Sequence, residues 1–175
     1  MKTRKTNNRS GLALRAAGYG ILIALALALS YLEAQLPVFF AVPGMKLGLT
    51  NIVVLIALYR MGGVSAMTIN LLRIVLVSLL FGTFSSFIYS LAGGMLSTVV
   101  MLLLKYIGKF QLITVSIAGG VSHNVGQIIA AMILMSTAGI GWYLSVLWFT
   151  GLISGALIGI LGSILVKRLP FFRSL

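Results

Sequence analysis

Six apolar segments make up most of this sequence, and several of them run for about 18 to 25 residues. A helix of that length crosses the hydrocarbon core of a bilayer, which is roughly 30 Å thick. Charged residues make up only 8% of the chain, against roughly a quarter in soluble domains. Too few polar groups therefore exist to cover a soluble surface. The sequence predicts an all-α integral membrane protein, folded as a bundle of six transmembrane helices.

We expect the second of these helices to be short and to cross the membrane only in part. The predicted helices are Leu12–Leu36, Leu47–Tyr59, Gly63–Phe81, Phe87–Leu104, Leu112–Met135 and Trp142–Val166. Because the connections between them are short, we interpret residues 12–168 as a single membrane domain. A basic tail at 1–11 and a short tail at 169–175 flank it, and we expect both tails to be cytoplasmic.

The net charge of +12 follows the predicted helix ends rather than a nucleic-acid surface. Basic residues cluster at the two termini, at Lys2, Arg4, Lys5, Arg9, Arg15, Lys167, Arg168 and Arg173. Arg60, Lys105 and Lys109 fall in connections on the same side of the membrane, whereas the opposite connections "GTFSS" and "STAGIG" carry no charge. Short basic loops remain in the cytoplasm. The pattern therefore predicts cytoplasmic N and C termini, and we expect the protein to lie in the plasma membrane of a bacterium.

The residue types needed for most catalytic centres are scarce in this chain. It has no cysteine, no aspartate, one glutamate and one histidine. A thiolate nucleophile and a disulfide are excluded, and one histidine with one carboxylate cannot fill a metal coordination shell. The Gly-rich phosphate-binding loop that ends in Lys-Ser/Thr is also absent. We expect no catalysis by this polypeptide, no metal and no cofactor.

Two cationic residues stand out because they lie away from the cytoplasmic set. Lys46 follows a Pro-Gly turn on the predicted outer side, where an anion would be attracted by the start of the next helix. Arg73 lies near the middle of the third helix, three residues after Asn70. A charge at the bilayer centre costs about 2.5–3.5 kcal/mol and normally faces a cavity or a partner. Both cations predict a site for an anionic ligand.

Each of these residues also has a structural interpretation. Lys46 could extend to the outer head groups. Glu33, the one carboxylate, could form an ion pair with Arg73 or with Lys46, but it cannot neutralise both. One positive charge would then remain for a phosphate, diphosphate or carboxylate. We therefore include Glu33 among the candidate site residues.

The fifth predicted helix supplies a polar face. Ser116, Gly120, His123 and Gln127 recur at spacings of four, three and four, with Asn124 beside them. Such residues often hydrogen-bond to neighbouring helices. Alternatively His123, Asn124 and Gln127 line the same cavity as Arg73 and bind hydroxyl or carbonyl groups of a ligand. Asn51, one turn into the second helix, is a further candidate.

Three separated segments carry a family resemblance. "PGMKLGLTNIVVLIALY", "RIVLVSLLFGTFSSFIYSLAGGMLS" and "GGVSHNVGQIIAA" occur in this order and resemble the Gx transporter family, also named heptaprenyl diphosphate synthase component I. More distantly, "GMKL" and the pair Ala24 and Ala28 resemble the substrate-binding S-components of energy-coupling-factor (ECF) transporters. Gly48 and Thr50 stand where several S-components have other polar residues, so no particular vitamin is implied. The resemblance implies an outer loop "PVFFAVPGMK" that closes over ligand.

Small residues recur every four positions on two helices. Gly151, Gly155, Gly159 and Ser163 form such a stripe on the last helix, and Ala16, Gly20, Ala24 and Ala28 form one on the first. Small residues let helices approach closely in lipid, so we interpret the last stripe as packing within the bundle. For the first stripe, the resemblance to S-components implies docking on a transmembrane coupling subunit that carries ATPases, and packing within the bundle is the alternative.

Two functions follow from these observations. The first is an S-component-like subunit of an uptake transporter, which captures a small anionic or amphipathic molecule from outside. The second is a non-catalytic membrane subunit that anchors a polyprenyl (heptaprenyl) diphosphate synthase. A channel or scaffold is a third alternative. The partners expected are a coupling subunit with ATPases, the ligand and membrane lipids, and no nucleic acid.

Overall fold

The computed structural model describes residues 3–35 and 48–168, and these fold into a helical bundle. Its six α-helices are α1 (Thr3–Gln35), α2 (Asn51–Arg60), α3 (Gly63–Phe81), α4 (Phe84–Ile107), α5 (Leu112–Met135) and α6 (Tyr143–Arg168). A 3-10 helix at Ala138–Trp142 precedes α6. Five of the helices are long and apolar enough to cross a membrane, and α2 is shorter. The all-helical, multi-pass membrane fold predicted from the sequence is confirmed.

The short helix α2 lies at the centre of the bundle. All of its residues from Ile52 to Leu58 are buried, which no amphipathic helix on a surface would show. With ten residues it is about 15 Å long, half the thickness of the hydrocarbon core. The expectation that the second helix is short is confirmed, and its partial crossing of the membrane stays a prediction. The helix begins at Asn51 rather than at Leu47 as predicted.

Glycines with positive φ set both ends of α2. Gly48 has φ +74°, and its carbonyl accepts a hydrogen bond from the N–H of Asn51 at 2.8 Å. Gly62 has φ +98°, and its N–H donates back to the carbonyl of Ala57. Glycine adopts this left-handed region without steric cost. The two turns therefore fix where α2 enters and leaves the core.

The other helices surround α2. The sequential pairs α3–α4, α4–α5 and α5–α6 pack together, and α6 returns to pack on α2. Leu22 and Ala26 are the buried residues of α1 in the apolar core, and α1 packs on α2 and α3. Two hydrogen bonds also attach α1, from Tyr19 Oη to Ser65 Oγ at 2.7 Å and between the hydroxyls of Ser30 and Thr50 at 3.0 Å.

The helix α1 begins, and the helix α6 ends, on the same side of the bundle. Arg60, at the end of α2, donates to the carbonyl of Val166, two residues before α6 ends. Tyr19, midway along α1, contacts Ser65 at the start of α3, so the N-terminal half of α1 extends toward this end. We call this end of the bundle the terminal face. The opposite end, where α1 finishes and α2 begins, holds the polar residues described next.

Candidate functional site

A small polar cavity lies at the end of the bundle opposite the terminal face. Its volume is about 30 Å³, enough to admit water. The residues that line it are Glu33, Gly48, Thr50, Asn51, Arg73, Gly120, His123, Asn124, Gln127 and Ser154. The helices α1, α2, α3, α5 and α6 each contribute to this lining. Side chains distant in the sequence therefore meet at one place.

Most of the residues predicted as a ligand site lie in this lining. They are Glu33, Asn51, Arg73, His123, Asn124 and Gln127. Lys46 lies outside the described residues, so its predicted role stays a prediction. The residue that differs is Asn70, which was predicted to contact ligand but lies behind Arg73 with 1% of its surface exposed.

Asn70 holds the guanidinium of Arg73 in place. Nη2 of Arg73 donates to Oδ1 of Asn70 at 2.6 Å. The Nδ2 group of Asn70 donates to the carbonyl of Gly94 at 3.0 Å and to Oγ1 of Thr98 at 2.8 Å, both on α4. Because these two acceptors fix the amide orientation of Asn70, its oxygen must point toward Arg73. Asn70 is therefore a positioning residue between α3 and α4.

Arg73 keeps hydrogen-bonding capacity at the cavity. A guanidinium has five N–H donors, and the Nε of Arg73 is buried without a hydrogen-bond partner among the residues that the structure describes. Glu33 lies close enough to interact with Arg73 electrostatically. This is one of the two pairings of Glu33 that the sequence predicted. One carboxylate oxygen of Glu33 also accepts the backbone N–H of Gly48 at 2.5 Å. Among the described residues that line it, the cavity thus contains one cationic and one anionic side chain.

The polar face of α5 divides between two roles. Ser116 is buried and donates to the carbonyl of Gly155 at 2.8 Å, so it joins α5 to α6 and does not line the cavity. Asn124 has two roles. It lines the cavity, and its Nδ2 joins α5 to α6 by donating to the carbonyl of Leu147 at 2.7 Å. The structural interpretation of this face is therefore correct for Ser116 and partly correct for Asn124.

Close glycine contacts bring the polar side chains together. A Cβ placed on Gly93 of α4 would lie 2.7 Å from the carbonyl oxygen of His123 and 2.8 Å from Cγ of Gln127. A Cβ on Gly126 would lie 2.7 Å from the carbonyl of Ala92. Glycine is thus required at both positions for α4 and α5 to touch through their backbones. This contact sets the position of His123 and Gln127 at the cavity.

The two stripes of small residues have different surroundings. On α6, Gly151, Gly155 and Gly159 are buried against α5. This is the internal packing that the sequence predicted. On α1, all four stripe residues, Ala16, Gly20, Ala24 and Ala28, are exposed on the surface of the described chain. A Cβ at Gly20 would meet nothing within 4 Å.

Two side chains that line the cavity were not predicted from the sequence as site residues. Thr50 is 2% exposed and hydrogen-bonds with Ser30 at 3.0 Å, and Ser154 lies on α6 between Gly151 and Gly155. A signal for Ser154 existed, because a hydroxyl next to a buried glycine stripe in a membrane helix faces the interior. For Thr50 the position before the first turn of α2 gave no such signal.

A family model described as heptaprenyl diphosphate synthase component I matches residues 22–165. This range contains every described residue that lines the cavity. Comparison with curated proteins and with solved structures finds no significant match. Because the family model covers well over half of the chain, this multi-pass membrane protein belongs to the heptaprenyl diphosphate synthase component I family.

Proposed function

We propose that the protein is an S-component-like, substrate-binding subunit of an ECF-type uptake transporter. The observation that carries this proposal is the convergence of five helices on one cavity in which Asn70 positions Arg73. A charge in the middle of a membrane helix is costly, and a buried arginine with a remaining Nε–H donor suits an acidic group of a ligand. The ligand class is a small anionic or amphipathic molecule taken from the outside.

Ligand binding requires the lining helices to separate. The cavity of about 30 Å³ is far smaller than the roughly 300–1,000 Å³ that small-molecule sites usually occupy. Within the described residues, the polar contacts that attach α1 to the rest of the bundle include those of Tyr19, Ser30 and Glu33. We therefore expect its outer end to move when ligand enters between Glu33 and Arg73.

Energy for uptake would come from partner subunits. The chain carries no Gly-rich nucleotide-binding loop and no aspartate, so we assign it neither ATP hydrolysis nor prenyl transfer. The exposed stripe on α1 offers a face on which a transmembrane coupling subunit with ATPases could dock, because small residues allow close helix contact in lipid. This role is distinct from that of the cavity.

The family name supports a second function. The family description refers to a component of heptaprenyl diphosphate synthase, and a chain without aspartate would serve such an enzyme as a membrane anchor rather than as its catalyst. The anchor function predicts co-purification with a soluble prenyl synthase. It also predicts that Arg73→Ala changes no uptake activity.

Mass spectrometry of small molecules retained by the purified protein tests the proposal. We expect the parent protein to retain an acidic compound and Arg73→Ala to lose it, because the cation that binds the acidic group is removed. Arg15→Ala is the matched control, since Arg15 is exposed on α1 far from the cavity. Equal retention by the parent and Arg73→Ala, or no retained compound in either, would refute the assignment of this cavity.

A further inference from the structure

We propose that the terminal face carries a second anion site, which binds a phosphate group through Tyr59, Arg60 and Lys105. Tyr59 and Arg60 belong to the last turn of α2 and Lys105 of α4 lies beside it, at the opposite end of this helix from the cavity at Arg73. All three are half-buried, unlike the exposed Lys109, Lys167 and Arg168 of the same face. The site is independent of the proposed uptake function.

The two cations are held in fixed positions by main-chain carbonyls. Nζ of Lys105, on α4, donates to the carbonyl of Leu58 at 2.5 Å and lies 5.1 Å from the centre of the Tyr59 ring. Arg60 donates through Nη2 to the carbonyl of Val166 on α6. Basic side chains at the ends of helices suit the partial negative charge there. In these contacts Lys105 and Arg60 each use only one of their N–H donors.

Two further polar atoms at this place lack a hydrogen-bond partner. Oη of Tyr59 and Nε of Arg60 are buried, and neither forms a hydrogen bond within the described part of the chain. Buried polar groups are nearly always hydrogen-bonded, and an exception calls for an explanation such as a bound water or ion. Both atoms can donate, as can Lys105 Nζ, so the three groups together favour an acceptor with several oxygens.

No side-chain carboxylate of this chain can supply that acceptor. Glu33 is the one acidic residue in the sequence, and it bonds to Gly48, before the first residue of α2. Arg60 is the last residue of α2, and ten helical residues separate the two ends by about 15 Å. The side chains of the described residues therefore offer Arg60 and Lys105 no counter-ion.

A phosphate oxyanion fits these donors in charge and in hydrogen bonding. Arginine binds phosphate through two parallel N–H donors, and lysine adds a point charge. Basic pockets between membrane helices at the membrane surface bind phospholipid head groups. A free phosphate ion has the same chemistry. The experiment therefore compares a lipid source and a soluble source.

Thermal unfolding of the purified full-length protein in detergent tests the site. One pair of samples receives phosphatidylglycerol or a diacylglycerol with the same acyl chains, and a second pair receives inorganic phosphate or chloride at equal ionic strength. We expect phosphatidylglycerol to raise the melting temperature of the parent protein and diacylglycerol not to raise it. A rise with phosphate but not with chloride would also support the site and would identify a free ion as a sufficient ligand.

Two conservative variants assign the effect to these residues. Tyr59→Phe removes only the hydroxyl and keeps the ring beside Lys105, and Lys105→Gln removes the charge. We expect each to weaken the apparent affinity for phosphatidylglycerol about tenfold, the value of a hydrogen bond to a charged group. The controls Tyr106→Phe and Lys109→Gln change exposed residues of the same face and should leave the affinity unchanged.

Two results would contradict the proposed phosphate site. If the site holds only water, Tyr59→Phe removes an unsatisfied hydroxyl and the response to every added anion stays that of the parent protein. That outcome would overturn the proposal, as would a parent protein that neither phosphatidylglycerol nor phosphate stabilises.

Discussion

At the scale of single residues, Arg73 and Asn70 act together. Arg73 provides the charge, and Asn70 fixes its orientation through acceptors on α4. From the sequence, both were predicted to contact ligand because they lie three positions apart on one helix face. That spacing shows that they share a face, but it does not show which of them reaches the cavity. Burial decides this, because Asn70 is 1% exposed and Arg73 lines the cavity.

Asn70→Ala tests this division of roles. The substitution removes the acceptor of Arg73 and leaves the carbonyl of Gly94 with one donor fewer. Loss of buried hydrogen bonds costs about 1–3 kcal/mol. We expect a lower melting temperature and weaker ligand retention together. Asn51→Ala, which changes another amide at the cavity, should weaken retention with a smaller change in melting temperature. Asn70→Ala with parental stability and retention would contradict the positioning role.

At the scale of helices, the bounds were predicted best where an apolar run begins after a glycine or a polar turn. The bounds of α3 and α5 were predicted correctly, since Gly62 and the polar turn near Gln111 mark their starts. The helix α1 begins before its predicted start, and α4 extends beyond its prediction at both ends. Polar residues such as Thr3 and Asn8 precede the apolar run of α1 and are still helical. The depth of α2 in the core could not be predicted, because it depends on how the other helices surround it.

The glycine contact between α4 and α5 predicts a specific sensitivity. In Gly93→Ala the new methyl group would lie 2.7 Å from a backbone oxygen of α5, and backbone cannot yield as a flexible side chain does. We expect a destabilisation of about 1–3 kcal/mol in thermal or denaturant unfolding. Gly20→Ala is the matched control because its methyl group meets nothing within 4 Å. Equal effects of the two substitutions would show that the α4–α5 contact is not tight.

The exposed stripe of α1 predicts partner docking. Ala24→Leu places a large side chain on this face, and we expect it to abolish co-purification with a coupling subunit and ATPases. The substitution should leave the folded protein intact because Ala24 is exposed. Thr114→Leu, at an exposed position on α5, is the control and should preserve co-purification. Association that survives Ala24→Leu would mean that partners bind elsewhere.

At the scale of the whole molecule, the distribution of charge is asymmetric. Arg60, Lys105 and Lys109 lie toward the terminal face. Of the connections at the cavity end, Gly82–Thr83 and Ser136–Thr137 carry no charge, and the one between α1 and α2 carries the single cation Lys46. The positive-inside rule then predicts a cytoplasmic terminal face and a cavity on the outer side. Both assignments are required if the cavity receives a ligand from outside.

The absence of cysteine makes this orientation easy to test. The natural sequence has no thiol, so Lys109→Cys and Thr137→Cys each introduce a single reactive group at an exposed position. We expect a membrane-impermeant thiol reagent to label Thr137→Cys in intact cells and to label Lys109→Cys only after the membrane is opened. The reverse pattern would place the cavity on the cytoplasmic side and exclude uptake from outside.

The central claim is that Arg73 binds the acidic group of a molecule that enters the cavity. An experimental structure of the protein purified from its native membrane tests this claim most directly. We predict density for a bound molecule between Arg73 and the polar face of α5, with an acidic group within hydrogen-bond distance of the guanidinium. A cavity that holds only water, with Arg73 paired to Glu33, would contradict the claim.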